Sequence, residues 1–77
     1  MKGQFQDIHQ AVGFAAGDIF HWLQQRNNSG DLNTLRTELR HIEEPILYQG
    51  MGWLMREGKL QVSTTNNGTT TMVLTRN

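Results

Sequence analysis

The segment Pro45-Ile-Leu-Tyr-Gln-Gly-Met-Gly-Trp-Leu-Met-Arg-Glu-Gly-Lys-Leu60 restricts the possible folds of this chain more than any other. Proline fixes a backbone φ suited to the first turn of a helix, and Leu47, Met51 and Leu54 then recur at helical spacing. Gly58 supplies a left-handed residue, which stops a helix while satisfying its last carbonyls. A helix is therefore expected over residues 45–57, running directly into extended chain at Lys59.

Residues 59–75 alternate in polarity around Asn66-Asn67-Gly68, which predicts a β-hairpin. Two registers compete. A two-residue turn at Asn67-Gly68 sets Leu60 opposite Thr75 and Val62 opposite Val73, and leaves Met72 and Leu74 on the other face. A three-residue loop with Gly68 left-handed pairs Leu60 with Leu74 and Val62 with Met72, leaving Gln61, Ser63, Thr71 and Val73 on the opposite face. The second is preferred, because a sheet with one buried face selects the register that segregates polarity.

Residues 1–6 are expected to be a loosely held start, with Phe5 against the body. A long helix is expected over residues 7–26, with Ile8, Val12, Ala15, Ala16, Ile19 and Leu23 on one broad side, flanked by Phe20 and Trp22. Asp7 is its candidate cap, and Asn27-Asn28-Ser29-Gly30 supplies turn chemistry at its end. Gly13 and Gly17 lie one turn apart beside Ala16 and invite close approach by another element. Such packing would offset a helix-propensity cost of about 1 kcal/mol each. Asp31-Leu32 suits a very short strand. Asn33 is the candidate cap of a second helix over residues 33–40, with Leu35 and Leu39 inward and Ile42 filling the turn that follows. Glu44, preceding proline, is expected to be extended and just outside the third helix. Helix, short strand, helix, helix, strand, strand is the order of an α+β winged helix-turn-helix, here one domain over residues 1–77.

Ala16-Gly17-Asp-Ile-Phe-His-Trp-Leu23, Leu35 to Leu39, and Gly50-Met-Gly-Trp-Leu-Met-Arg-Glu-Gly-Lys-Leu60 together resemble a family of short, stand-alone bacterial winged helix-turn-helix proteins of unknown function. Its pattern runs roughly Ala-Gly-x-Ile-Trp-x-x-Leu and later Ala-Leu-Gly-Trp-Leu-Ala-Arg-Glu-Gly-Lys-Ile. The resemblance spans about residues 8–75, and Gly-Trp-Leu-x-Arg-Glu-Gly-Lys is its most specific part. Phe20 and Trp22 stand where the family favours tryptophan and a polar residue. Gly50-Met51 replaces Ala-Leu, and Gly50 weakens a helix that alanine would support. The resemblance implies a winged-helix fold, a bacterial cytoplasmic origin and a homodimer; it brings no catalytic residues.

Seven basic and seven acidic residues cancel, whereas nucleic-acid binders usually carry a basic excess that neutralises phosphate. With Leu47, Met51 and Leu54 inward, the third helix presents Ile46, Gln49, Gly52, Trp53 and Arg56 outward. Gln49 suits an adenine edge, while Arg56 is the one cation and stands at the helix end far from usual base contacts. Glu43 and Glu44 oppose phosphate at the helix entrance. Arg36 and Arg40 on the second helix, Lys59 at the wing's base and Arg76 beyond it complete the relevant cations. They allow about three or four phosphate contacts, against the ~6–10 of strongly salt-dependent binders. One expectation is a regulator-like domain touching double-stranded DNA through Gln49, Arg56, Lys59, Arg36 and Arg40. The alternative is a homodimerisation or protein-interaction module that binds no DNA. It would use Phe14, which falls on the polar side of the first helix, with Ile46 and Trp53.

No cysteine is present, which removes disulfides, thiol nucleophiles and thiolate metal sites. His9, His21 and His41 are scattered without metal-ligand spacing, and Asp18 and His21, one helical turn apart, suit a surface pair. No enzyme activity, cofactor, metal or small-molecule ligand is expected. Residues 1–12 lack a signal-peptide pattern and no apolar run nears the ~18 residues of a membrane span, so a cytoplasmic setting is expected. A chain of 77 residues buries only roughly 60% of its unfolded surface, which favours a second copy covering apolar surface.

Overall fold

A computed structural model describes residues 8–75. The candidate cap Asp7, the loosely held start over residues 1–6 with Phe5, and Arg76 lie outside the described residues. The elements are α1 (Ile8–Gln24), β1 (Ser29–Asp31), α2 (Leu32–Glu38), α3 (Glu44–Arg56), β2 (Leu60–Thr64) and β3 (Thr70–Leu74). The strands form one antiparallel sheet in the order β1-β3-β2, so the first short strand lies beside the last. This is the α+β winged-helix arrangement.

The wing adopts the polarity-segregating register: Leu60 faces Leu74 and Val62 faces Met72. Thr65 N–H donates to Thr69 O at 2.8 Å, closing a three-residue loop in which Gly68 has φ 89°. Leu60, Met72 and Leu74 are buried, and Val62 packs against the same core. Across from them lie Ile19 and Leu23 of α1, Leu35 of α2, and Leu47, Met51 and Leu54 of α3. Leu39 and Ile42 close the gap after α2, as their spacing implied. Ile8 departs from the expected inward side and is 50% exposed, in the first turn of α1.

α1 stops at Gln24 rather than Arg26. Asn27 and Asn28 both take positive φ, 60° and 69°, a region asparagine tolerates better than most residues. There Asn28 N–H reaches back to Leu23 O at 2.7 Å while Asn28 O accepts from Leu74 N–H at 2.8 Å. The two asparagines thus end the helix and fasten the next residue to the sheet. The strand consequently starts at Ser29, and Leu32 is already helical.

Asp31, not Asn33, caps α2. Its extended backbone (φ −101°, ψ 158°) aims the carboxylate at the helix start, where it accepts Thr34 N–H at 3.1 Å and the Thr34 hydroxyl at 2.7 Å. The helix begins sooner and ends sooner than expected, with Leu39 N–H closing on Leu35 O at 2.8 Å. At α3 the extended residue is Glu43 (φ −62°, ψ 141°) rather than Glu44. Glu43 O accepts the Leu47 N–H at 2.9 Å, so the first helical turn already encloses Glu44 and Pro45.

Trp22 is the largest departure. Expected as a flank, it is buried and joins three elements. Its Nε1 donates to Glu38 Oε1 at 2.6 Å, and the Arg26 guanidinium sits 4.7 Å from the ring centroid while also meeting Glu38 at 3.6 Å. Gly30 lies under the ring; a Cβ there would fall 2.6 Å from it. Gly30 is therefore a strand residue with no room for a side chain, not a loop residue chosen for its turn.

The glycines of helical approach also differ. Gly17 has nothing within 4 Å of a Cβ position, whereas a Cβ on Gly50 would lie 3.0 Å from Ala16 N and 3.1 Å from Ala15 Cβ. Gly50 is where α3 touches the α1 backbone, so the residue that weakens the helix in isolation permits the fold. Gly13 contributes at a second point, where a Cβ would meet the Trp53 ring at 3.3 Å.

Gly50→Ala should destabilise by about 1 kcal/mol net, overpacking outweighing the gain in helix propensity. Gly52→Ala, with open space around it, should instead stabilise by about 0.5–1 kcal/mol. Urea denaturation of both variants checks the opposite signs. A second expectation concerns pH. The Thr34 hydroxyl, then the Thr34 N–H, hold the Asp31 carboxyl below its ordinary value of 3.8. A depressed folded value gives stabilisation that is complete above 3.8 and lost as pH falls through the folded value. Thermal melts below pH 4 should fall less steeply for Asp31→Asn than for the native chain.

Candidate interaction surface on the third helix

α3 buries Leu47, Gly50, Met51 and Leu54, and this fixes what its other sides present. Tyr48 and Met55, two turns apart, are exposed along one side. Gln49, Gly52 and Arg56 follow the crest. Ile46 is half-buried, and Trp53, 38% exposed, leans on Gly13 of α1. Two of the expected interface residues are thus already partly covered by their own chain. The third, Phe14, is 67% exposed on α1.

Between the start of α1 and the end of α3 runs an open groove of about 550 Å³. Ile8, His9 and Val12 form one wall, and Gln49, Trp53 and Arg56 the other. The structure therefore brings together Gln49, Arg56 and Trp53 from the residues singled out in the sequence. It separates the rest. Lys59 lies in a shallower recess with Gly17 and Phe20, which Trp53 also borders. Arg36 Nε pairs with Glu44 at 3.2 Å, and its Nη1 reaches Asn33 Oδ1 at 3.5 Å. Arg40 Nη1 donates to Thr37 O at 3.1 Å. Arg36 on α2 and Arg40 in the turn after it are both engaged within the chain, an outcome that their positions in the sequence do not reveal.

The electrostatics of the α3 entrance follow from the same contacts. Glu43 and Glu44 stand at the N-terminal end, where the helix dipole favours carboxylates. Arg36 offsets Glu44 and leaves Glu43 exposed. In a winged helix seated in a major groove, this end approaches the phosphate backbone and the bases. A carboxylate there repels phosphate.

Asp18 meets His41 of the α2–α3 turn at 3.9 Å, while His21 contacts Gln25 at 3.3 Å, so the expected Asp18–His21 pair is replaced. Among the described residues, no group of three or more His, Cys, Asp or Glu is placed to hold a metal ion. Tyr48 and Met55 are the exposed groups that a search for cations passes over. Their spacing, opposite Ile46 and Trp53, is the sequence signal that this helix is apolar on more than one side.

A family model described as a winged helix-turn-helix domain (DUF2582) matches residues 6–73, most of the chain. No curated protein and no solved structure matches it.

Proposed function

The chain belongs to that winged helix-turn-helix domain family, and from this premise we propose a homodimeric, regulator-type module that acts by protein contact and reads no base sequence. The observation that carries the reading is the outer side of α3. An acidic entrance, with Glu44 tied to Arg36, leads into a surface where Tyr48, Trp53 and Met55 outnumber the single cation Arg56. A base-reading helix would present polar and basic side chains along this side. Exposed apolar groups of this size suit contact with another protein, and a domain this small gains from covering them. Phe14, Ile46 and Trp53 are the proposed apolar contributors. The reading includes no catalytic role and places the protein in the bacterial cytoplasm, following the resemblance. Among the described residues, no helix is long and apolar enough to cross a membrane.

One observation favours a second reading, in which the dimer binds double-stranded DNA. Gln49 and Arg56 share one wall of the groove, and a two-fold copy would double them. Lys59, Arg36 and Arg40 would then supply phosphate contacts, Arg36 only after leaving Glu44.

Sedimentation over a range of concentrations, beside titration of a mixed-sequence duplex at low salt, tests both readings. The expected result is a concentration-dependent dimer with weak DNA affinity, whose log–log salt slope is no steeper than about −3. A monomer at every concentration would overturn the homodimer. Tight binding to one sequence, lost in Gln49→Ala and Arg56→Ala, would put the DNA reading in its place.

A further inference from the structure

We propose that the second copy adds to the free edge of β2, joining two three-stranded sheets into one through an antiparallel Leu60–Thr64 pair. The proposal rests on the homodimer reading above and assigns the second copy to the β2 edge, which leaves the apolar side of α3 with Phe14, Ile46 and Trp53 to a different protein partner.

Among the described residues, the strand order β1-β3-β2 leaves two edges. The β1 edge is guarded: it is three residues long, its central Gly30 lies under the Trp22 ring, and its last residue is engaged in capping α2. Natural sheets protect exposed edges with short strands, proline, charge or bulges. β2 has none of these. Leu60-Gln-Val-Ser-Thr64 is five residues long, uncharged and without proline, and it pairs residue for residue with β3.

Hydrogen-bond parity fixes which groups are available. Thr75 N–H donates to Lys59 O at 2.9 Å and Thr65 N–H to Thr69 O at 2.8 Å, so odd-numbered residues of this segment face β3. In an antiparallel ladder, bonded pairs alternate with non-bonded ones. The N–H and C=O groups of Leu60, Val62 and Thr64 therefore point to the free edge. A two-fold axis at Val62 pairs Val62 with its own copy and Leu60 with Thr64 of the copy. All three outward residues are then used, in roughly six hydrogen bonds.

Side chains agree with this register. Gln61 falls opposite Ser63 of the copy on the polar face, two neutral groups able to hydrogen-bond. Leu60 and Val62 lie on the core side, so the axis brings the two Val62 side chains together and continues the apolar face from one domain to the next. A symmetric pairing sets each strand against itself, which penalises any charged strand. An uncharged one escapes that penalty. The chain's zero net charge adds no long-range repulsion between copies.

The test uses the whole chain and reads mass by sedimentation, folding by circular dichroism, and amide exchange residue by residue. Thr64→Pro removes an N–H that points away from β3, so it leaves the β2–β3 ladder in place while obstructing the partner strand. It should weaken the dimer by about tenfold or more. The pair Gln61→Lys with Ser63→Lys should also weaken it, by placing like charges across the axis. Gln61→Lys with Ser63→Glu should restore it, by placing opposite charges there. The amides of Leu60, Val62 and Thr64 should exchange slowly in the dimer and quickly on dilution. A dimer that survives Thr64→Pro, dissociates in Trp53→Ala or Phe14→Ser, or leaves those three amides fast overturns the edge assignment and leaves the homodimer reading standing. A chain that stays monomeric at every concentration overturns both.

Discussion

Everything in this small domain depends on how closely α3 can approach α1. Gly50 sets that distance, since its α-carbon lies where even a methyl group would press on the Ala16 amide and the Ala15 side chain. The two alanines complete a flat contact, and α3 lies low enough for Leu47, Met51 and Leu54 to reach Ile19 and Leu23. From there the chain has little freedom. Gly58, at φ 75°, turns the backbone out of the helix, and Leu60 arrives over the same core four residues after Arg56. The wing is placed by the helix crossing, and the crossing is placed by the absence of a side chain. A helix-weakening residue is tolerated because the packing it permits is worth more than its conformational cost.

Trp22 does for the other half what Gly50 does for this one. The indole rests on Gly30, bonds to Glu38 and carries Arg26 on its face, so α1, β1 and α2 converge on one ring. With the sheet order β1-β3-β2, this anchors the short strand against the long hairpin. The two asparagines at positive φ make the geometry possible by turning the chain sharply enough for Asn28 to reach β3. Two tight contacts, each made against a glycine, therefore organise both sides of the sheet.

Those contacts also explain what could be read from the sequence. The architecture, the hairpin register and the three-residue loop follow from periodicity and turn chemistry, which are local. Segregation of Leu60, Val62, Met72 and Leu74 onto one face follows from their spacing once the register that separates polarity is chosen. The roles of Gly50, Trp22 and Gly30 are not visible, because each is defined by a partner distant in the chain. Gly50 looks like a flaw until Ala16 is known to lie against it. The same holds for the charges: Arg36 and Arg40 look available in sequence, and Glu44 and the Thr37 carbonyl engage them in the fold. Asp31 illustrates a nearer failure. Asn33 and Asp31 are both good caps, and the strand's extended end, not side-chain preference, decides between them.

The placement of charge bears on function in the same physical terms. Carboxylates at a helix entrance and a basic residue in its last turn stabilise that helix through its dipole, and α3 has both in Glu44 and Arg56. A helix that reads DNA gives up part of this stabilisation, since its entrance must accept phosphate. Here the carboxylates are kept at the entrance, with Arg36 pairing Glu44 across the turn. The charges of α3 are thus arranged for the stability of the fold itself, and its crest is left to neutral and apolar groups. A surface of that kind gains most from a partner that removes apolar area from water, because that contribution scales with area and tolerates salt, whereas phosphate contacts weaken with every increment of it.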